Sequence, residues 1–189
     1  MRKLWNEDWS FTLLPPDSGM DDLETAKLQP VTLPHDWLIA DTEKLYEPGD
    51  GWYRKAFTAE EHTGFETWLD FDGVYFDCDV LLNGETVSRH PYGYTAFQAD
   101  LSGRIRAGEN ELMVHIRHRS PNSRWYSGSG IYRDVWMMAS EATYLEPDMV
   151  QVTTESCDEE LAVLSVRTTV INETLNARTL TLQTKIEDA

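Results

Sequence analysis

The side chains best suited to chemistry stand together in Asn122-Ser123-Arg124-Trp125-Tyr126-Ser127-Gly128-Ser129-Gly130. A sugar ring presents an apolar C–H face and a rim of hydroxyls, so it packs on indole or phenol rings while guanidinium and amide groups bond the rim. Trp125 and Tyr126 supply the faces, Arg124 and Asn122 the polar groups, and the glycines let the backbone bend close to a ligand. Composition gives equal weight to a plainer reading, in which Trp125 and Tyr126 plug the end of a β-sandwich. A second group, His35-Asp36-Trp37, follows Leu33-Pro34, where the proline halts a short strand. Loops at strand ends are favoured places for binding residues, because a rigid scaffold holds them. His35 and Asp36 can equally pair with each other or with backbone. The loop His90-Pro91-Tyr92-Gly93-Tyr94 is a third aromatic stretch able to touch sugar.

Metal chemistry finds no support. His115 and His118 are three apart on a strand and so lie on opposite faces. Cys78 and Cys157 have the spacing of neither a disulfide framework nor a metal site. No metal or other cofactor is expected. The 33 Asp and Glu residues offer many carboxylate pairs, and nothing separates a working pair from surface charge, so no catalytic residue is assigned.

The elements that must position these groups read as strands. Trp52 to Phe57 alternates after the loop Pro48-Gly49-Asp50-Gly51. Val74, Phe76, Cys78, Val80 and Leu82 are apolar at every second position, and Asn83-Gly84 then supplies a type I′ hairpin turn. Leu112, Val114 and Ile116 share one face of another strand, and a last one runs from Ile131 to Met138. The only helical hint is an acidic piece around Met20 to Leu28. Short strands, frequent turns and the lack of a long amphipathic helix predict an all-β chain, with a jelly-roll sandwich over residues 1–143. Residues 144–189 begin at a linker around Glu146-Pro147-Asp148 and continue with Thr- and Val-rich strands at 151–156, 162–170 and 179–186. They read as the opening of an immunoglobulin-like sandwich, which normally needs about seven strands. So short a piece can hardly bury its own core, and the chain is expected to be a fragment of a longer protein.

Bulk properties narrow the partners. Aromatics make up 11% of the 189 residues, with seven Trp, which is enough for a core and a surface site. The net charge of −17 argues against nucleic acid and anionic membranes as partners. No stretch approaches a membrane span, and the basic start Arg2-Lys3 has no apolar run behind it. Sparse cysteine and the absence of a leader pattern point to the cytoplasm.

Leu33-Pro34-His35-Asp36-Trp37, Gly51-Trp52-Tyr53-Arg54-Lys55, Phe71-Asp72-Gly73-Val74, Asn83-Gly84, Gly108-Glu109-Asn110 and Ser129-Gly130-Ile131-Tyr132-Arg133-Asp134-Val135 occur in that order. Together they resemble the N-terminal sugar-binding domain of glycoside hydrolase family 2, above all that of bacterial β-galactosidases, over Trp5 to Ala139. The resemblance implies a galactose-binding-like jelly roll, then an immunoglobulin-like domain, then a (β/α)₈ barrel carrying the acid/base and nucleophile glutamates of a retaining mechanism. Such a mechanism needs two carboxyl groups about 5 Å apart, and this part alone should be inactive. Many members carry an Asp facing substrate or a cation where this chain has Arg124. An Arg cannot ligate sodium, which puts that cation in doubt, but it can donate hydrogen bonds to galactose hydroxyls. Asn122, Trp125 and Tyr126 would support it, with Asp36 and His35 behind. The implied partners are a β-galactoside, the missing barrel and, as often in this family, further copies of the chain. A free-standing carbohydrate-binding module using Trp125, Tyr126 and Tyr92, a purely structural or assembly role, and a parent β-glucuronidase or β-mannosidase remain alternatives.

Overall fold

The computed structural model describes all residues except 45, 60–64, 121–127, 147–148 and 188–189. It divides into two compact units, Met1–Ala139 and Ser140–Ala189. The first unit begins with β1 (Arg2–Leu4), β2 (Trp9–Leu14), the short helix α1 (Met20–Thr25), β3 (Gln29–Val31), β4 (His35–Asp36) and β5 (Gly49–Ala59). It continues through β6 (Phe65–Phe71), β7 (Cys78–Leu82), β8 (Glu85–His90), β9 (Phe97–Asp100), β10 (Gly108–His118), β11 (Gly130–Ile131) and β12 (Val135–Glu141), the last of which runs across the boundary. Among the described residues no helix is long and apolar enough to cross a membrane.

Two sheets form a β-sandwich. One has the order β3-β2-β5-β10-β7-β8 and the other β1-β12-β6-β9, while β4 and β11 pair separately. Period-two patterning fills the space between them: Leu112, Val114 and Ile116 of β10 and Val80 of β7 are fully buried against Leu69 and Phe71 of β6 and Val135 of β12. The opposite face of the six-stranded sheet is not left bare. Trp52, Leu81 and Met113 pack there under Leu23 of α1, which explains why a mainly β unit keeps this amphipathic turn. Cys78 points into the core, where burial pushes its thiol up to about 12, so it is unreactive.

Several elements differ from expectation for identifiable reasons. Asn83 (φ 52°) and Gly84 (φ 84°) form the expected left-handed turn between β7 and β8. However, β7 starts only at Cys78, because Asp77 just before it sits at φ 45° and breaks the extended run. β5 starts at Gly49, three residues before the predicted strand, and pairs with β10 down to Gly49↔His118. A Cβ on Gly51 would stand 2.5 Å from the Trp37 ring, so this glycine serves ring packing on a strand and not a turn. The predicted strand from Ile131 is broken in two. Asp134 accepts from Asn6 Nδ2 (2.8 Å) and its carbonyl accepts from Asp72 N (3.0 Å), which lets β11 pair with β4 and β12 with β1.

In the second unit β13 (Thr143–Leu145) pairs with β16 (Val170–Asn172), and β14 (Gln151–Cys157) with β15 (Ala162–Arg167), both antiparallel. Residues 179–186 form no strand. A ladder needs a neighbour, and the apolar Leu180, Leu182 and Ile186 remain exposed.

Asn110 ties the base of β10 together. Its Oδ1 accepts from Arg106 N (2.9 Å) and Asn83 Nδ2 (3.0 Å), while its Nδ2 donates to Arg106 O (2.7 Å) and Gly108 O (3.1 Å). Asn110→Ala is expected to cost about 1–3 kcal/mol, since it removes four hydrogen bonds made by a buried side chain. Urea unfolding should show a lower midpoint at unchanged slope.

Candidate functional site

The site is framed by three short segments meeting at Gly130. On one side β11 pairs with β4, Gly130 opposite Asp36 and Ile131 opposite His35. On the other, Tyr75 N donates to Gly130 O (2.9 Å) and Gly130 N to Tyr75 O (3.0 Å). Gly130 has φ 145°, and a Cβ there would fall against the His35 carbonyl oxygen and 2.8 Å from the Tyr53 hydroxyl, so only glycine fits. Ser129 Oγ donates to Tyr75 O (2.8 Å), and Trp37 N donates to Ser129 O (3.0 Å). Asp36 closes the frame. Its Oδ1 accepts from the backbone N–H of Leu38 (2.9 Å), Ile39 (3.0 Å) and Ser129 (3.0 Å), so one carboxylate fixes both the exit from β4 and the entry to β11.

His35 is held by an aromatic cluster. Its Nδ1 lies 2.7 Å from the Tyr53 hydroxyl, which also donates to His35 O (3.1 Å). With the phenol proton on that carbonyl, Nδ1–H completes the pair and Nε2 is the ring's acceptor. Phe11 packs against His35 (4.8 Å between centroids) and Tyr53 (4.7 Å), and Trp37 stacks on Phe11 at 5.3 Å and 25°. Burial pulls the His35 pKa down, against the opposing pull of Asp36, and drives that of Tyr53 well up.

A second polar group lies where β5 and β10 end. Asp50, fully buried, accepts from Arg119 Nη1, and Arg119 Nη2 reaches Asp17 at 3.0 Å. His115 Nε2 is 3.2 Å from Asp50 Oδ2, and its ring stacks on Trp52 at 4.0 Å and 5°. His118 is only 3% exposed, and neither of its ring nitrogens has a hydrogen-bond partner among the described residues. Burial lowers its pKa, with Asp36 raising it and Arg119 lowering it further, so the neutral ring keeps a donor and an acceptor to spare. The buried Trp37 Nε1 is likewise without a partner among the described residues. Hydroxyls or water satisfy such atoms well. Among the described residues no group of three His, Cys, Asp or Glu could hold a metal.

Of the residues singled out from sequence, Asn122, Arg124, Trp125 and Tyr126 lie outside the described residues. The structure brings His35 and Asp36 together on β4, with Asp36 Oδ1 bonded to backbone and His35 to Tyr53. Sequence reasoning gave no site role to Tyr53, Tyr75 or His118, and it put Ser129 in the candidate stretch without naming a role for it. Tyr53 carried a signal, being a polar-tipped ring on the inward side of a strand; the others needed the pairing to be known.

An antiparallel sandwich with a polar, aromatic-lined frame at strand ends defines a β-sandwich domain with an ordered polar cluster at its edge. The chain belongs to the glycosyl hydrolases family 2, sugar binding domain, which it matches over residues 29–141. It is 35% identical over 205 residues to a β-galactosidase of Bacteroides ovatus, across 100% of this chain and 24% of that protein. It is 30% identical to a β-glucuronidase of Bacteroides fragilis, across 76% of this chain and 21% of that one. The solved structure of a glycosyl hydrolase family 2 member from Bacteroides cellulosilyticus superposes with a TM-score of 0.75 at 29% identity, covering 91% of this chain and 25% of the other. The chain thus spans about a quarter of the length of the relatives it matches.

Gly130→Ala is expected to cost about 2–4 kcal/mol or prevent folding, measured by denaturation, whereas Gly84→Asn, at an open hairpin turn, should be tolerated. A pH dependence also follows. His35, His115 and His118 all have pKa values below the usual 6.5 because burial disfavours the charged ring. The unfolded chain takes up these protons first, so their contribution to stability is whole above pH 6.5 and is lost as pH falls toward the lowered folded values. The urea midpoint should drop between roughly pH 7.5 and 5.5, and less steeply in His118→Gln.

Proposed function

We propose that this chain is the N-terminal, non-catalytic part of a retaining glycosidase that hydrolyses terminal β-D-galactosides in the cytoplasm. The observation that carries the reading is the match to the family 2 sugar binding domain, supported by the likeness to the Bacteroides ovatus β-galactosidase. Retention needs two carboxyl groups about 5 Å apart across the scissile bond, which a barrel domain elsewhere in the protein would supply. In this reading residues 144–189 open an immunoglobulin-like domain leading to that barrel.

The chain's own work is to bind and orient. Arg124 donates to sugar hydroxyls, Trp125 and Tyr126 offer ring faces, and Asn122 adds an amide. Asp36 and His35 act from behind: the three backbone bonds to Asp36 and the contact of His35 with Tyr53 stiffen the segment Ser129-Gly130 that follows those residues. A rigid approach lowers the ordering cost of binding.

A second reading, β-glucuronide hydrolysis, is favoured by the 30% identical β-glucuronidase. Assay of the longer protein carrying this chain on p-nitrophenyl β-galactoside and β-glucuronide separates the two. The galactoside should be cleaved, the 189-residue chain alone should be inactive, and Arg124→Ala should lower kcat/KM about 10- to 100-fold. Cleavage of the glucuronide alone would transfer the assignment to the second reading.

A further inference from the structure

The loop between β8 and β9 presents two large aromatic side chains that folding does not need to bury. Tyr92 is 55% exposed and Tyr94 47%. They touch each other at 5.6 Å and 59°, and Tyr94 meets the buried Tyr75 edge-on at 5.4 Å and 74°. The intervening Gly93 is clamped. Its carbonyl accepts from the Tyr132 hydroxyl at 2.8 Å, and a Cβ on it would strike the Tyr75 ring and lie 2.8 Å from Phe76 Cβ. Tyr132 itself sits close against Gly73, where a Cβ would stand 2.7 Å from its ring. Gly93 and Tyr94 are therefore held in place before any ligand arrives, and Tyr92 rests against Tyr94. Tyr75 is also the residue whose backbone pairs with Gly130 in the frame described above, so the pair and that frame share a rigid link.

We propose that Tyr92 and Tyr94 form a second sugar contact, which takes a neutral hexose unit of a longer glycan. The proposal rests on the sugar-binding reading above, and extends it from a single terminal sugar to a chain of several. Phenol faces suit the C–H side of a pyranose, and their hydroxyls bond its rim. The net charge of −17 disfavours acidic polysaccharides. Two side chains are too little surface for a protein partner or a second copy, which need about 800 Å² per side.

The test is NMR titration of the intact chain with β-1,4-galactotetraose, with galactose and with tetragalacturonate. Galactotetraose should shift the Tyr92 and Tyr94 ring resonances saturably. Tyr92→Ala/Tyr94→Ala should weaken its binding about fivefold, and Tyr92→Phe/Tyr94→Phe should retain most of it. Galactose should move the Ser129 and Gly130 amides but not the rings. Rings unmoved by about 10 mM galactotetraose, equal binding by the double Ala variant, or an equal response to tetragalacturonate would each overturn the proposal. Shifts that depend on protein concentration without sugar would assign the pair to self-association, and overturn it too. Ser129 and Gly130 amides silent to every sugar would instead count against the site at Gly130, while the ring signals still decide the second contact.

Discussion

The structure of the first unit depends on one residue without a side chain. Gly130 is wedged between β4 and Tyr75 and hydrogen-bonded to Tyr75 through both its N–H and its carbonyl. Its neighbour Ser129 spends its own N–H, carbonyl and hydroxyl on Asp36, Trp37 and Tyr75. Strand-end segments of two residues have almost no cooperative stability alone. Here they are stable because each polar atom finds a partner from a different part of the chain and no Cβ keeps those parts separated. The Asp36 carboxylate and the Tyr53 phenol are the outer supports of the same knot.

Local signals were readable in the sequence, and non-local ones were not. Asn83-Gly84 announced its turn because the required dihedrals belong to those two residues. Gly49-Asp50-Gly51 looked like a loop because glycine has the same composition signature whether it bends a chain or receives a ring; only Trp37, fourteen positions before Gly51, distinguishes the cases. The break at Tyr132–Asp134 is set by Asn6, at the far end of the unit. Residues 179–186 have strand composition, but a strand is a relation between two segments, and among the described residues none pairs with them.

The same division holds for the site. Arg124, Trp125 and Tyr126 drew notice by type, and His35 and Asp36 by type and by the preceding proline. What those last two do is decided by Tyr53 and Ser129, which lie 18 and 93 residues away from their respective partners. His118 could not be told from any histidine at a strand end until its burial was seen and its two nitrogens proved to have no hydrogen-bond partner among the described residues. Side-chain chemistry is legible from residue types; the shell that aims it is a product of topology.

The pairing of β1 with β12 sets a timetable for biosynthesis. Arg2 lies opposite Met138, so β1 must wait for almost the whole first unit to leave the ribosome before it has a neighbour. β5 has β2 on one edge as soon as it is made, but its other edge waits for β10, some fifty residues later. Long-range ladders of this kind close slowly and leave apolar edges uncovered meanwhile. Trp5 and Trp9, buried in the finished core, stay uncovered until the facing sheet is made, and a net charge of −17 opposes association between chains meanwhile.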